Sequence, residues 1–192
     1  FMGCSLLAKA QQETPPPGNE PWKKIYRATA TKYDDLINTK LEVKFDFDKS
    51  YMYGKAWITL KPHFYPTDTV SLDAKGMDIH TVALDRGGKT EPLKYAYDGE
   101  TLRIHLNRTY KYTEKYTLFI DYTSKPNELK DHHGSSAITD AKGLYFINPK
   151  GEDKDKPTEI WTQGETEANS VWFPTIDKPN QKTTEEIFMT VP

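Results

Sequence analysis

The chain has a single cysteine, Cys4, and almost no net charge. One cysteine excludes an intramolecular disulfide framework and a cysteine-rich zinc site, so cysteine content does not indicate the redox compartment. The 26 Lys and Arg residues nearly balance the 28 Asp and Glu residues, and the net charge of −2 provides no broad attraction for nucleic acid or an anionic membrane. We therefore expect no nucleic-acid partner, and other partners must be inferred from local features.

The strongly hydrophobic residues Val, Ile, Leu and Phe are also scarce. Val, Ile, Leu and Phe together supply about a fifth of the 192 residues, which approaches the composition of disordered chains. Disorder, however, usually combines low hydrophobicity with a high net charge. The 12 Tyr and 4 Trp residues can bury large ring faces while a polar edge stays accessible. The length is that of one domain rather than of a multi-domain enzyme, so composition predicts a folded, β-rich domain.

The first 21 residues carry a compartment signal. Residues 1–10 begin with a short apolar run and end in Ala-Lys-Ala, the small-x-small pattern that precedes signal-peptide cleavage. We interpret them as the remnant of a secretory signal peptide, entered partway because no basic segment precedes Phe1, and residues 11–21 as a proline-rich linker. The protein is expected to be exported (periplasmic, secreted or surface-associated), with a lipoprotein tether at Cys4 as the alternative. The apolar run is too short to cross a membrane, so no integral membrane segment is predicted.

Residues 22–192 are predicted to form one mainly β domain, an antiparallel sheet or sandwich with little helix. Apolar and charged residues alternate from Leu41 to Asp48, as expected of a strand with one buried face. A second alternating run, residues 51–60, follows a short polar turn and completes a hairpin. Asp98-Gly99 marks another hairpin, because the turn needs the positive φ that these residues tolerate. Further strands are predicted at residues 69–73, 79–84, 93–97, 102–106, 116–122 and 143–147. Only residues 22–38 could hold a helical turn or two, around residues 28–36, and the Thr and Tyr residues there fit a strand as well.

No catalytic residue and no complete metal site is visible in the sequence. The five histidines do not form the His-Glu-x-x-His pattern of a helical zinc protease site, and no nucleophile elbow or phosphate-binding loop occurs. His80 and His105 lie in strand-like runs and are expected to have structural roles. His132 and His133 are adjacent in a polar loop, where neighbouring side chains on an extended backbone point in opposite directions, so we do not expect them to share a zinc ion.

The most informative segment is residues 159–179. An amide and two carboxylates, Gln163, Glu165 and Glu167, lie between aromatic residues that can act as apolar anchors. These anchors are Trp161, Trp172 and Phe173, of which the last two are expected to be packing residues. In an extended segment the three polar side chains would share one face, where they could bind a cationic group such as a free α-amine. A solvated acidic face is the alternative interpretation.

This segment resembles the signature of the aminopeptidase-N-like zinc metallopeptidases, a family that includes leukotriene A4 hydrolase. The signature of their N-terminal domain is Thr-Gln-x-Glu, then Phe-Pro, then Asp-x-Pro leading into a strand. This chain has Thr162-Gln163-Gly164-Glu165, Phe173-Pro174 and Asp177-Lys178-Pro179 at matching offsets, followed by strand-like residues 184–191. The resemblance covers residues 22–192. It departs from the family where Asn169-Ser170 replaces Ala-Arg, Thr175 replaces Cys and Lys178 replaces Glu.

The resemblance implies a saddle-shaped, mainly antiparallel β domain that packs on a thermolysin-like catalytic domain of its own chain and forms one wall of the active site. In that family the Gln and Glu of the signature bind the first residue of a peptide substrate, so Gln163 and Glu165 are the predicted substrate-binding residues. The family's zinc ligands and general base come from motifs that are absent here. Zinc is therefore expected in the full-length parent, and this chain is expected to be a fragment, open at both ends and not catalytic alone.

Three functions remain open at this point. The chain is the substrate-anchoring N-terminal domain of an exported zinc aminopeptidase that acts on peptides with a free N-terminus, or a stand-alone β-sandwich module that binds peptide or carbohydrate, or a family-derived scaffold that has lost catalysis. A His-Glu-x-x-His motif encoded beyond Pro192 would favour the first. A natural stop codon near residue 192 would favour the second.

Overall fold

A computed structural model describes residues 28–129 and 140–191 of the chain. The chain divides into two units, and the second, Thr31–Pro192, is compact. Described strands in the second unit are β1 (Asp34–Asp46), β2 (Tyr51–Pro62), β3 (Thr67–Asp73), β4 (Met77–Asp85), β5 (Thr90–Pro92), β6 (Lys94–Tyr97), β7 (Thr101–Tyr110), β8 (Tyr116–Ser124), β9 (Leu144–Ile147), β10 (Glu159–Thr162) and β11 (Thr184–Thr190). Helix in the described residues is limited to 3₁₀ turns at Pro126–Glu128 and Asn169–Val171. The helices described are too short to cross a membrane. The predicted signal-peptide remnant and linker, residues 1–21, lie outside the described residues.

The described strands form three sheets. The largest has six strands in the order β11-β1-β2-β8-β4-β5, and its neighbours pair antiparallel except for β1 and β11, which run parallel. A three-stranded antiparallel sheet has the order β3-β7-β6. The third sheet is the antiparallel pair of β9 and β10. The predicted mainly β, antiparallel architecture is confirmed.

β1 and β2 form the hairpin predicted from alternation in the sequence. Leu41 and Val43 are buried on one face of β1, and Val43 lies opposite Gly54 of β2. The strand begins earlier than predicted, at Asp34, because this part of the chain also pairs with β2 and buries Leu36. Of the two structures that fit residues 28–36, the strand is the one that forms, from Asp34 onwards, and no helical turn is present there. Pairing with residues 60–62 of β2 decides between the two structures that the local pattern fits.

The hydrophobic core joins the six-stranded and three-stranded sheets. Ile58 and Ile120 from the larger sheet belong to one buried cluster with Leu72 and Ile104 from the smaller sheet, and all four side chains are fully buried. Burying a side chain of this size contributes roughly 1.5–3 kcal/mol relative to exposure. The two sheets therefore pack as the sandwich that the sequence predicted.

Most other strand predictions are confirmed with their ends shifted by a few residues. The predicted runs at 69–73, 79–84, 93–97, 102–106, 116–122, 143–147 and 184–191 correspond to β3, β4, β6, β7, β8, β9 and β11. The predicted turn at Asp98-Gly99 joins β6 to β7, where Gly99 has a φ of 96° and the Asp98 carboxylate accepts the N–H of Thr101 at 2.7 Å. β5 and β10 were not predicted, because strands of three and four residues are too short to show an alternating pattern.

Candidate functional site

Gln163 continues the pairing of β9 and β10 by one residue. Its N–H donates to the carbonyl of Gly143 at 3.0 Å, so the backbone remains extended as far as Gln163. The Gln163 side chain is half-buried, and its Oε1 accepts a hydrogen bond from the N–H of Glu165 at 3.4 Å. Glu165 is exposed, and its carboxylate forms no ion pair with any residue in the ranges 28–129 and 140–191.

The chain turns sharply after Gly164. The carbonyl of Gly164 accepts the N–H of the residue four positions later at 2.9 Å, and Glu167 adopts a left-handed φ of 71°. The Glu167 carboxylate lies 2.6 Å from the ammonium of Lys178. The prediction that Gln163, Glu165 and Glu167 share one face of an extended segment is therefore wrong. Gln163 and Glu165 remain neighbours, whereas Glu167 belongs to a separate ion pair.

Asp177 accepts hydrogen bonds from two neighbouring residues, Asn169 and Ser170. Its carboxylate accepts the N–H of Ser170 at 2.8 Å and the side-chain amide of Asn169 at 3.4 Å. Gly164 makes room for this arrangement, because a Cβ at that position would lie 2.5 Å from the Asn169 amide group. Asn169, Ser170 and Asp177 thus form a local hydrogen-bond network next to Gly164.

The far side of the loop is attached to the end of β3. Asp73 and Thr175 exchange two backbone hydrogen bonds, of 2.7 and 3.0 Å, and the Asp73 carboxylate accepts the N–H of Asp177 at 2.9 Å. The Lys75 ammonium donates to the carbonyl of Glu167 at 2.7 Å. The loop that presents Glu165 is therefore fixed at both ends, by the residue before β9 and by the residues at and after the end of β3.

The aromatic side chains of the segment occupy two different environments. Trp172 and Phe173 are 7% and 4% exposed and pack with their ring centroids 4.5 Å apart at 70°, which confirms their predicted packing role. Trp161 is 46% exposed and stacks on Tyr145, with 4.5 Å between ring centroids and 13° between ring planes. The prediction that Trp161 is an apolar anchor of the segment is wrong, because β10 turns this side chain away from the core.

The described residues do not fit a zinc ion. Within residues 28–129 and 140–191, no group of three or more His, Cys, Asp or Glu side chains is arranged to bind a metal. His80 instead forms a hydrogen bond with the Thr123 hydroxyl at 2.9 Å, in line with its expected structural role. His132 and His133 lie outside the described residues.

The sequence profile of the peptidase M1 N-terminal domain matches residues 29–192. The chain belongs to this family. The matched range of this M1 N-terminal domain contains Gln163, Glu165 and every residue that anchors their loop. No curated protein sequence gave a match.

Several solved M1 enzymes share the fold of this M1 N-terminal domain. A two-domain M1 zinc metallopeptidase bound to L-arginine is 16% identical, with a TM-score of 0.68, over 88% of this chain and 35% of that one. The M1 zinc metallopeptidase of Deinococcus radiodurans is also 16% identical, with a TM-score of 0.61 over 88% of this chain and 35% of its own. Yeast LTA4 hydrolase is 22% identical, with a TM-score of 0.59 over 98% of this chain and 28% of its own. The chain thus spans 28 to 35% of the length of these structures.

Proposed function

We propose that this chain is the substrate-anchoring N-terminal domain of an exported zinc aminopeptidase that removes N-terminal residues from peptides. Gln163 and Glu165 bind the first residue of the substrate, and the Glu165 carboxylate pairs with its free α-amine. The observation that carries the proposal is an exposed carboxylate, without an ion pair in the described part of the chain, on a loop fixed at both ends. Membership of the M1 family supports a peptidase, and the signal-like residues 1–10 support export.

The chemistry of the two side chains suits a peptide amino terminus. An α-amine has a pKa near 8 and is mostly protonated at neutral pH. A hydrogen bond between ammonium and carboxylate is about twice as strong as a neutral one, and it strengthens further when bound substrate excludes water. The Gln163 Oε1 accepts the Glu165 N–H, which leaves the Gln163 Nε2 to donate to a carbonyl of the substrate.

Selection for a free amino terminus follows from this pairing. A peptide whose amine is acetylated carries no charge there, so it would leave the Glu165 carboxylate desolvated and without a partner. Truncating one partner of such a pair costs roughly 2–5 kcal/mol. The proposed site therefore favours removal of residues from the amino terminus over cleavage within a chain.

We assign the zinc ion and the hydrolytic groups to other parts of the full-length protein. The M1 structures that share this fold are described as zinc metallopeptidases, and a zinc ion would polarise the scissile carbonyl and activate water. The residues described here provide no such site. Their own part in the reaction is to bind the amino terminus of the peptide and to orient it.

The experiment that tests the proposal is Glu165→Gln in the full-length protein, assayed with leucyl-aminomethylcoumarin. KM is expected to rise about tenfold with a smaller change in kcat, because a charged hydrogen bond worth about 1.5 kcal/mol or more is lost on binding. Glu152→Gln, which neutralises an exposed carboxylate between β9 and β10, controls for the change in net charge. An unchanged KM in Glu165→Gln, or an equal rise in both variants, would contradict the proposal.

A further inference from the structure

An exposed aromatic ring lies beside Gln163 on β10. Trp161 precedes Gln163 by two residues, and the hydrogen bond from the Gln163 N–H to the Gly143 carbonyl, 3.0 Å long, keeps the backbone extended between them. Their side chains therefore project from the same face of the β9–β10 pair. Two residues along a strand are about 6.6 Å apart, a distance that one amino-acid side chain can span.

The Trp161 ring is held in place by Tyr145. The two residues are directly opposite in the β9–β10 register, and their rings stack at 4.5 Å with 13° between the planes. The Tyr145 hydroxyl donates to the carbonyl of Asp140 and accepts the N–H of Lys142 at 3.2 Å. Since Tyr145 is bound at its hydroxyl and its ring, the indole stacked on it has a fixed orientation.

The outer part of Trp161 is accessible to a ligand. Tyr145 covers one face of the indole, yet 46% of Trp161 remains exposed. Residues 150–158, the loop that leads into β10, are all exposed and polar or small in character. A rigid indole beside a polar amide is the arrangement that binding sites use to combine apolar contact with orientation.

We infer that Trp161, supported by Tyr145, forms a wall that contacts the side chain of the substrate's first residue and favours a large apolar or aromatic side chain there. The inference rests on the proposed function, because the α-amine bound at Glu165 places that side chain near Gln163. An aromatic side chain can pack offset or edge-to-face on the indole, and an aliphatic one buries apolar area against it. A single methyl group, as in alanine, reaches neither contact.

The main test compares Trp161→Ala with the wild type in the full-length enzyme. The substrates are the aminomethylcoumarin amides of phenylalanine, leucine and alanine. The kcat/KM for the phenylalanyl and leucyl substrates is expected to fall about tenfold, and that for the alanyl substrate less than twofold. The matched control is Trp57→Ala, which removes the same side chain from β2, where it packs on Phe119 with ring centroids 5.2 Å apart. It should leave the ratios among the three substrates unchanged.

Glu165→Gln on the same three substrates separates this inference from the proposed function. Glu165→Gln should lower kcat/KM for all three substrates about equally, because each carries the same α-amine. Trp161→Ala should instead change the ratio of kcat/KM values among them. If Trp161→Ala changes the ratio of kcat/KM values among the three substrates but Glu165→Gln changes none of those values, the role of Trp161 is supported and amine binding by Glu165 is refuted. If Trp161→Ala leaves the ratio of kcat/KM values unchanged, the inference about Trp161 is overturned, whereas the proposed role of Glu165 is not affected. An equal fall for all three substrates would mean that Trp161 packs against another part of the protein, and it would also overturn the wall.

Calorimetric binding of free L-phenylalanine and L-alanine provides a measurement that needs no turnover. The wild type is expected to bind L-phenylalanine more tightly, and Trp161→Ala should reduce that preference about tenfold. Trp161→Phe retains a ring that can stack on Tyr145 and should keep most of the preference. If the wild type binds the two amino acids equally, the inference is overturned.

Discussion

The ammonium of Lys178 lies 2.6 Å from Oε2 of Glu167, and Glu167 follows Glu165 by two residues. This hydrogen bond is the main cause that raises the pKa of Lys178. Lys75 adds a second contact by donating to the carbonyl of Glu167 at 2.7 Å. Glu167 has a left-handed φ of 71°. A residue other than glycine keeps this conformation only when the surrounding structure holds it there. The two lysines provide those surroundings, so they position the loop that carries Glu165.

Reversing the charge of Lys178 is expected to loosen this loop. Lys178→Glu brings two carboxylates together and should raise KM for free-amine substrates several-fold, while the melting temperature falls little because an exposed ion pair is worth at most about 1 kcal/mol. The double variant Glu167→Lys with Lys178→Glu restores opposite charges and should recover most of the loss. Steady-state kinetics on the three proteins measure this. A double variant no better than the single one would contradict a positioning role.

Replacing Gly54 by alanine is expected to destabilise the protein. A Cβ at this position would lie 2.3 Å from Cζ of Tyr122, and the Tyr122 side chain is fully buried. Overpacking a core typically costs 1–3 kcal/mol, so Gly54→Ala should lower the free energy of unfolding in urea by about 2 kcal/mol. Combining it with Tyr122→Leu, which removes the clashing atoms, should cost less than the sum of the two single changes. Additive losses would show that the ring contact is not the cause.

Asp34 is expected to make the stability of the domain depend on pH. Burial raises the pKa of its carboxyl from 3.8 to about 6, and the hydrogen bond from Tyr116 offsets this only in part. The folded state then holds a proton that the unfolded state releases, so the free energy of unfolding falls as pH rises from about 4 through 6. The full loss from this group, reached above pH 6, is about 3 kcal/mol.

Asp34→Asn removes that titration and should be more stable than the wild type at pH 8, but not at pH 4. The Tyr116 hydroxyl can still donate to the amide oxygen of the variant. Asp46→Asn is the control, because the pKa of Asp46 is shifted in the opposite direction: the backbone N–H of Lys49 lowers it. Removing the Asp46 carboxylate should therefore not increase stability at pH 8. Urea unfolding at both pH values measures the difference. A gain at pH 8 in both variants, or in neither, would refute the prediction.

The sequence predicts what depends on neighbouring residues and misses what depends on distant ones. The hairpin of β1 and β2 was predictable, because alternation and a short turn are local. The bond from the Asp177 N–H to the Asp73 carboxylate joins residues 104 apart, and the bond from Lys75 to the Glu167 carbonyl joins residues 92 apart. Nothing local signals either contact, so the turn after Gly164 was predicted to be extended.

The same distinction between local patterns and distant contacts applies to the candidate site. The spacing of the family signature identified Gln163 and Glu165, and their role in binding substrate stays a prediction. The stacking of Trp161 on Tyr145 was missed because it depends on the register of β9 and β10, and β10 is too short to be recognised from its pattern. Residue types therefore indicated which groups could bind, whereas the backbone pairing decided which of them are neighbours.

Alanine variants of Trp172 and Trp161 distinguish a residue that packs in the core from one that is available to contact a ligand. Trp172 is 7% exposed and belongs to the core, whereas Trp161 is 46% exposed. Trp172→Ala should cost about 3–5 kcal/mol and lower the melting temperature by about 10 °C. Trp161→Ala should move it by less than about 2 °C, because Trp161 is not part of the buried core cluster. Thermal unfolding of the two variants measures this. A melting temperature unmoved by Trp172→Ala would contradict its packing role. An equal drop in both would show that Trp161 supports the fold rather than a ligand.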